Sequence, residues 1–281
     1  MNYCDILLTV DFDRTLTGPD SKIPPRNLEA IEYFMAQGGT FTVNTGRSTG
    51  TFWKYLDTIP RNAPLLLYNG SAAYDASELT QLRPIDLDVW QTLGTVKEQF
   101  PGLNLEIQGI KCHYLIDPSE KFLALYDKLQ WRYEIAQWGQ EVGPFIKFAL
   151  FGEPQAPAVS SLYEEHQGEI AMFDAVEQKL RQLFGEQVAV FRAAPRIIDV
   201  HAKGVSKLQA ARDLQKALGK HCLVCVGDAE NDLPMLEGAD FAYCPADGVV
   251  ADRFENVCPC GDGAIADVIY EKIPALLGKS K

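Results

Sequence analysis

The chain has 281 residues, 47% of them hydrophobic and 23% charged, with a formal net charge of −12. That length admits one large domain or two smaller ones, and the composition is ordinary for a soluble globular protein. The acidic balance argues against nucleic acid or an anionic membrane as the main partner, although a bound cation can reverse the field locally for a small anionic substrate. No apolar run approaches the length of a membrane span, and the first strand starts too near Met1 to leave room for a signal peptide, so a cytoplasmic location is expected.

The first strand, Ile6-Leu7-Leu8-Thr9-Val10, runs directly into Asp11-Phe12-Asp13. Carboxylates are costly at the end of a buried apolar run, and two that share a face raise each other's pKa unless a cation lies between them. The pair points to a divalent metal, a shared proton or both; a strand ending in an Asx-turn is the plainer alternative. Pro24-Pro25 then opens a helix whose stripe is Leu28, Ile31, Phe34 and Met35, ending near Gly38-Gly39. A β-rich run, Thr40 to Asn44, stops at Thr45-Gly46-Arg47, and a second helix is expected from Ser48 to Leu56. Leu65-Leu66-Leu67-Tyr68 is a continuous apolar strand of the kind found in parallel sheets covered on both faces.

The middle of the chain differs. From about Asp86 to Arg192 the strands are less uniformly apolar and aromatics are denser, with Trp90, Trp131 and Trp138 all falling here. Strands are expected at Leu105–Ile107, His113–Ile116, Ile146–Phe151 and Val188–Phe191, and helices at Leu87–Gln99, Glu120–Trp131 and Asp174–Phe184. Trp131 and Trp138, seven residues apart, are expected to pack from one helix face. Arg83-Pro84 and Ala194-Pro195 mark the borders. The last third returns to the opening pattern: a strand at Arg196–Val200, a helix from Val205 to Leu218, strands at Cys222–Val226 and Phe241–Cys244, and a final helix after Gly263. The expected fold is α/β, a doubly wound, Rossmann-like parallel-sheet core of residues 1–84 and 195–281 with an inserted α+β cap domain at 85–194.

Ligands of open α/β sheets bind beyond the carboxyl ends of the strands. Separate segments deliver polar residues there: Asp11 and Asp13, then Thr45-Gly46-Arg47, then Lys203 and Lys207, then Gly227-Asp228-Ala229-Glu230-Asn231-Asp232. These types suit phosphoryl transfer. A carboxylate can attack phosphorus, a second can move protons, a divalent cation can neutralise the approach, and hydroxyl, N–H and lysine can hold the phosphoryl oxygens.

Asp11-Phe12-Asp13-Arg14-Thr15, Asn44-Thr45-Gly46-Arg47-Ser48, Ala202-Lys203-Gly204-Val205-Ser206-Lys207 and Gly227-Asp228-Ala229-Glu230-Asn231-Asp232 resemble, in order, the four motifs of the haloacid dehalogenase superfamily, in its Cof-type (subfamily IIB) branch with a C2-type cap. The resemblance spans the chain. It implies a phosphatase for a small phosphorylated metabolite, with sugar phosphates favoured, Mg2+ as cofactor and an aspartyl-phosphate intermediate. Asp11 would be nucleophile and metal ligand. Asp13 would be general acid/base and would offer its backbone carbonyl to the metal. Thr45, Gly46 and Asn231 would bind the phosphoryl group, and Asp228 would complete the metal site. Lys207 would neutralise the phosphoryl group and the nucleophile, with Lys203 the competing candidate for that role. Asp232 would support the metal or the lysine. Arg14 stands where Gly is commonest, and is read as a solvated arginine. Arg47 is read either as a phosphate contact or as a structural ion pair.

A phosphomutase on hexose phosphates would use the same motifs, and a non-catalytic binding or regulatory protein could share the fold. Cys222, Cys225, Cys258 and Cys260 admit a zinc reading, but strand spacing sends Cys222 and Cys225 to opposite faces, so buried inert thiols are expected. His113, His166, His201 and His221 are scattered without metal-ligand spacing. The substrate, the specificity residues of the cap and the oligomeric state are not encoded in any readable motif.

Overall fold

A computed structural model describes residues 1–110, 112–156, 158 and 167–278; His166 lies outside them. The first strands are β1 (Ile6–Val10), β2 (Thr40–Val43), β3 (Leu65–Leu67), β4 (Ala72–Asp75) and β5 (Glu78–Thr80). There follow β6 (Asn104–Gln108), β7 (His113–Ile116), β8 (Tyr133–Ile135), β9 (Lys147–Phe151), β10 (Val188–Ala194) and β11 (Ile197–Ala202). The last are β12 (Cys222–Val226), β13 (Phe241–Pro245) and β14 (Glu255–Val257). The chain divides into one unit of Met1–Gly46, Lys54–Thr80 and Ser206–Lys281, and another of Arg47–Trp53 and Gln81–Val205.

The first unit is built on a parallel sheet in the order β14-β13-β12-β1-β2. Every residue of β1, β2 and β12 is buried, as expected for strands covered on both faces. Leu7, Leu223 and Cys225 pack with Ala210, Ala211 and Leu214 of the helix Lys207–Ala217. Because β1 lies between β2 and β12, chain connections leave it in opposite directions, and the crevice of such a sheet opens at the carboxyl end of that strand. β3 departs from the parallel expectation. It pairs antiparallel with β4 in a separate sheet, and an isolated parallel bridge joins Asn44, just after β2, to Leu66.

The second unit holds a sheet in the order β10-β11-β9-β6-β7-β8. One face packs Leu105, Ile107, Phe148, Leu150, Ile198 and Val200 against the helices Val89–Gln99 and Gln167–Phe184. The other packs Leu115, Ala149, Phe151 and Ile197 under Phe122, Leu125 and Tyr126 of the helix Glu120–Leu129. The strand expected at Arg196–Val200 belongs to this sheet and not to the parallel core. Its apolar run is covered on both faces here too, and Pro195-Arg196 turns a hairpin between β10 and β11 and is not a domain exit.

Two local expectations are corrected. The helix expected from Ser48 to Leu56 is the short Thr49–Phe52, capped by Ser48. Trp131 and Trp138 do not share a helix, because the helix before them stops at Leu129 and Gln130 turns left-handed (φ 57°). They pack separately, Trp131 edge-on to Tyr126 at 5.1 Å and Trp138 on Trp90 at 5.9 Å. The cysteines are free thiols, and Cys222, Cys225, Cys244 and Cys260 are buried.

His201, on β11, is fully buried beside Phe191. Burial pushes its pKa well below the usual histidine value, and the Lys147 ammonium pushes the same way. The unfolded chain therefore takes up a proton that the folded imidazole refuses. Stability should fall as pH drops below about 6.5, with a slope approaching about 1.4 kcal/mol per pH unit. Urea midpoints at pH 5 and 7 should differ less in His201→Gln than in the wild type; an unchanged difference would count against this assignment.

Candidate active site

β1 ends at Val10, but the Asp11 N–H still donates to the Val226 carbonyl of β12 at 2.9 Å. This holds Asp11 at the carboxyl edge of the parallel sheet, 6% exposed. The chain then makes one irregular helical turn, Phe12–Leu16. Within it Asp13 is extended, whereas Arg14 takes a left-handed conformation (φ 55°). That backbone is the reason glycine suits the position; arginine accepts it at a cost of about 1 kcal/mol. The Arg14 side chain is half exposed and lies 3.9 Å from Asp247, a loose pairing worth little. Asn27 braces the end of the turn: its Nδ2 donates to the Leu16 carbonyl and its Oδ1 accepts the Ala266 N–H.

Lys207 is the first residue of its helix, which Ser206 caps by accepting the Gln209 N–H. Asn44 Nδ2 donates to the Lys207 carbonyl at 2.8 Å. The buried ammonium donates to Asp11 Oδ1 at 2.5 Å and to Asp232 Oδ1 at 2.6 Å. The competitor, Lys203, is exposed and reaches Glu186 at 3.5 Å, so Lys207 is the lysine at the carboxylates. Burial alone would lower the Lys207 pKa, but Asp11 and Asp232 together hold it above its ordinary value.

The fourth segment follows β12. Asp232, on the turn Glu230–Asp232, uses Oδ2 to accept the N–H groups of Asp228 and Ala229 at 3.0 and 3.1 Å. A Cβ on Gly227 would lie 2.6 Å from the Asp232 carboxyl carbon, so only glycine lets the carboxylate fold back over its own loop. Asp228 Oδ1 accepts the Thr15 hydroxyl at 3.0 Å. Asn231 occupies the same turn, half-buried.

Thr45 and Gly46 follow β2. The Thr45 N–H donates to the Leu66 carbonyl at 2.9 Å, and Thr45 is 1% exposed. A Cβ on Gly46 would meet Asn69 Oδ1 at 2.8 Å, which leaves that peptide bare of side chain. Arg47 belongs to the second unit, where its guanidinium reaches the Thr51 carbonyl at 3.4 Å.

Asp11, Asp228 and Asp232 bring carboxylate oxygens within 4.8 Å of one another. Burial pushes the Asp11 pKa well above the carboxylate range; Lys207 opposes this, while Asp232, Asp228 and Asp13 add to it. Burial and Asp232 push Asp228 up to about 7, against Thr15, Lys207 and Arg14. A single ammonium thus leaves this cluster with unbalanced negative charge. Hard oxygen donors in that state fit a divalent cation.

Asp11, Lys207 and Asp228 of the expected site are therefore assembled, with Asp232 as the link between lysine and loop. Thr15, Asn27, Asn44 and Asn69 also shape the site. Thr15 stands inside the first motif, but the three asparagines carry no local signal, because their partners are distant in the chain.

A model of the haloacid dehalogenase-like hydrolases matches residues 8–250. A Bacillus subtilis protein named 5-amino-6-(5-phospho-D-ribitylamino)uracil phosphatase is 21% identical over 253 residues, covering 87% of this chain and 88% of its own. A haloacid dehalogenase-like hydrolase of known structure from B. subtilis aligns with TM-score 0.78 at 16% identity, over 94% of this chain and 99% of its own. A subclass IIB sugar phosphatase aligns with TM-score 0.74 at 18% identity, over 97% and 98%. The chain belongs to the haloacid dehalogenase-like hydrolase family.

Proposed function

We propose that this protein is a Mg2+-dependent phosphatase that hydrolyses a small phosphorylated metabolite, a sugar or polyol phosphate, through an aspartyl-phosphate on Asp11. The observation that carries the reading is the buried Lys207 ammonium held between Asp11 and Asp232, next to Asp228 at the carboxyl edge of the parallel sheet. Relatives named as a phosphoribitylaminouracil phosphatase and a sugar phosphatase support the substrate class. No helix among the described residues is long and apolar enough to cross a membrane.

In this mechanism an Asp11 carboxylate oxygen attacks phosphorus as the bond to the leaving oxygen breaks. Asp13 protonates that oxygen, and in the second step takes a proton from water. The water oxygen then attacks phosphorus, the bond to Asp11 breaks, and inorganic phosphate leaves. The Thr45 hydroxyl, the Gly46 N–H, Asn231 and Lys207 hold the phosphoryl oxygens as charge redistributes. The cation, held by Asp11, the Asp13 carbonyl and Asp228, would offset repulsion between the nucleophile and the anionic substrate. The second unit, in which Gln81–Val205 includes the strand Ile197–Ala202, acts as a cap that recognises the rest of the substrate, and Arg47 serves as a further phosphate contact.

A panel of sugar, polyol and nucleotide phosphates, assayed for phosphate release with magnesium and with chelator, tests this reading. Magnesium-dependent release with a preference for sugar or polyol phosphates is expected. Release indifferent to chelator, or none from any substrate, would overturn it. Conversion of hexose phosphates into isomeric phosphates without release would identify a mutase instead.

A further inference from the structure

The lysine that meets the nucleophile does not hold itself in place. Lys207 is the first residue of its helix, the end at which the helix dipole disfavours a positive charge. Its stem is flexible, and an ammonium lacks the rigid fork that would pre-set its partners. Yet Lys207 is 2% exposed and its ammonium is bonded to both Asp11 and Asp232. The first turn of that helix is fixed instead by the edge of the parallel sheet.

Asn44 makes the connection. It follows β2 and is fully buried. Its N–H donates to the carbonyl of Val10, the residue before Asp11, at 2.8 Å, and its side-chain Nδ2 donates to the Lys207 carbonyl at 2.8 Å. Lys207 Nζ returns to Asp11 Oδ1 at 2.5 Å. These bonds close a ring through the end of β1, the end of β2 and the start of the Lys207 helix, all within the first unit. The exit of β3 presses on the same helix start. A Cβ on Gly70, whose φ is 92°, would lie 2.6 Å from the Ser206 carbonyl oxygen and 2.7 Å from Ala210 Cβ, so only glycine admits this approach.

The Asn44 amide is oriented by its bond to Lys207. Turning the amide oxygen toward the Lys207 carbonyl would set two acceptors together, so the NH2 faces that carbonyl, with Met235 Sδ 3.6 Å from Nδ2. Oδ1 is left as a buried acceptor without a hydrogen-bond partner among the described residues. An unmet buried acceptor destabilises a fold, and an apolar residue here would avoid it. Stability alone therefore does not account for asparagine at this position, whereas the donor toward Lys207 does.

We infer that Asn44 is a positioning residue for phosphoryl transfer: its Nδ2 bond to the Lys207 carbonyl fixes the first turn of the helix, and so holds the ammonium where it meets both Asp11 and the transferring phosphoryl group. This rests on the phosphatase reading above. Asn44 acts through Lys207 and needs no contact with the substrate. A shift of about 1 Å in such a charged group costs on the order of 10²-fold in rate.

The test is a double-mutant cycle of Asn44→Leu and Lys207→Gln, with kcat measured with magnesium on the best substrate of the panel above. Circular dichroism checks that each variant is folded. Asn44→Leu alone should lower kcat about 10- to 100-fold. In the Lys207→Gln background, with no ammonium left to misplace, the same substitution should cost less than about threefold. A role confined to the fold would lower kcat equally in both backgrounds. Equal falls, or a kcat for Asn44→Leu within about threefold of wild type, overturn the inference and leave the phosphatase reading standing. Should Asn44→Leu not fold, Asn44→Ala removes the same donor without added bulk and takes its place in the cycle. Should the double variant not fold, inhibition by inorganic phosphate decides in the single variant. It should weaken about fivefold or more when the ammonium is displaced, and unchanged inhibition overturns the inference. A wild type that releases phosphate from no substrate overturns both.

Discussion

Asp11→Asn is expected to lower phosphate release by about 10⁴-fold or more, because an amide oxygen cannot form the covalent intermediate on which both steps depend. The same variant should remain folded, since Lys207 keeps its bond to Asp232. Its pH dependence supplies a second readout. Burial raises the Asp11 pKa in the folded state, so the folded chain holds a proton that the unfolded chain releases. Stability without divalent cations should therefore decline as pH rises, fully present below the unfolded pKa near 4 and lost toward the raised folded value. Thermal melts in chelator at pH 6 and 8 should show a smaller decline in Asp11→Asn, with Asp228, pushed up to about 7, accounting for what remains. A residual rate within about a hundredfold of wild type would remove Asp11 as the nucleophile.

Lys207→Gln should affect both folding and activity. The ammonium is buried and bonded to two carboxylates, and removing one partner of such a pair leaves uncompensated charge. A loss of about 3 kcal/mol is expected at pH 8 without divalent cations, from the usual cost of breaking a buried pair. The loss should shrink at pH 6, where Asp228, pushed up to about 7, takes up a proton and relieves part of the charge. Activity should fall about 10³-fold even where the variant is folded, because the phosphoryl oxygens lose a fixed positive partner. Urea titrations at the two pH values, followed by assay of the folded fraction, measure both effects. Equal stability losses at pH 6 and 8 would contradict the charge account.

The Asp11-Phe12-Asp13 and Gly227–Asp232 segments were legible because each places costly carboxylates directly after a buried apolar strand. Lys207 over Lys203 was legible only as a preference. One helical turn separates them, and burial against Asp11 and Asp232 is a tertiary outcome. Strand Ile197–Ala202 was misplaced for a similar reason. A strand covered on both faces reads the same in either sheet, and only its pairing with β9 and β10 assigns it. The helix at Thr49–Phe52 starts where the sequence places it, capped by Ser48, and stops four residues short of Leu56.

By itself the sequence determined the parallel-sheet core, the cap in the middle of the chain, and the residue types at the carboxyl edge. These follow from local pattern: apolar runs, glycine turns and acidic strand ends. The tertiary structure alone decided which lysine meets Asp11, that Asp232 ties it to the Asp228 loop, and that Asn44 ties the start of the Lys207 helix to the end of β2. Those relations join residues far apart in the chain. Their energies depend on burial and on partners brought by other strands, which no local stretch of sequence records.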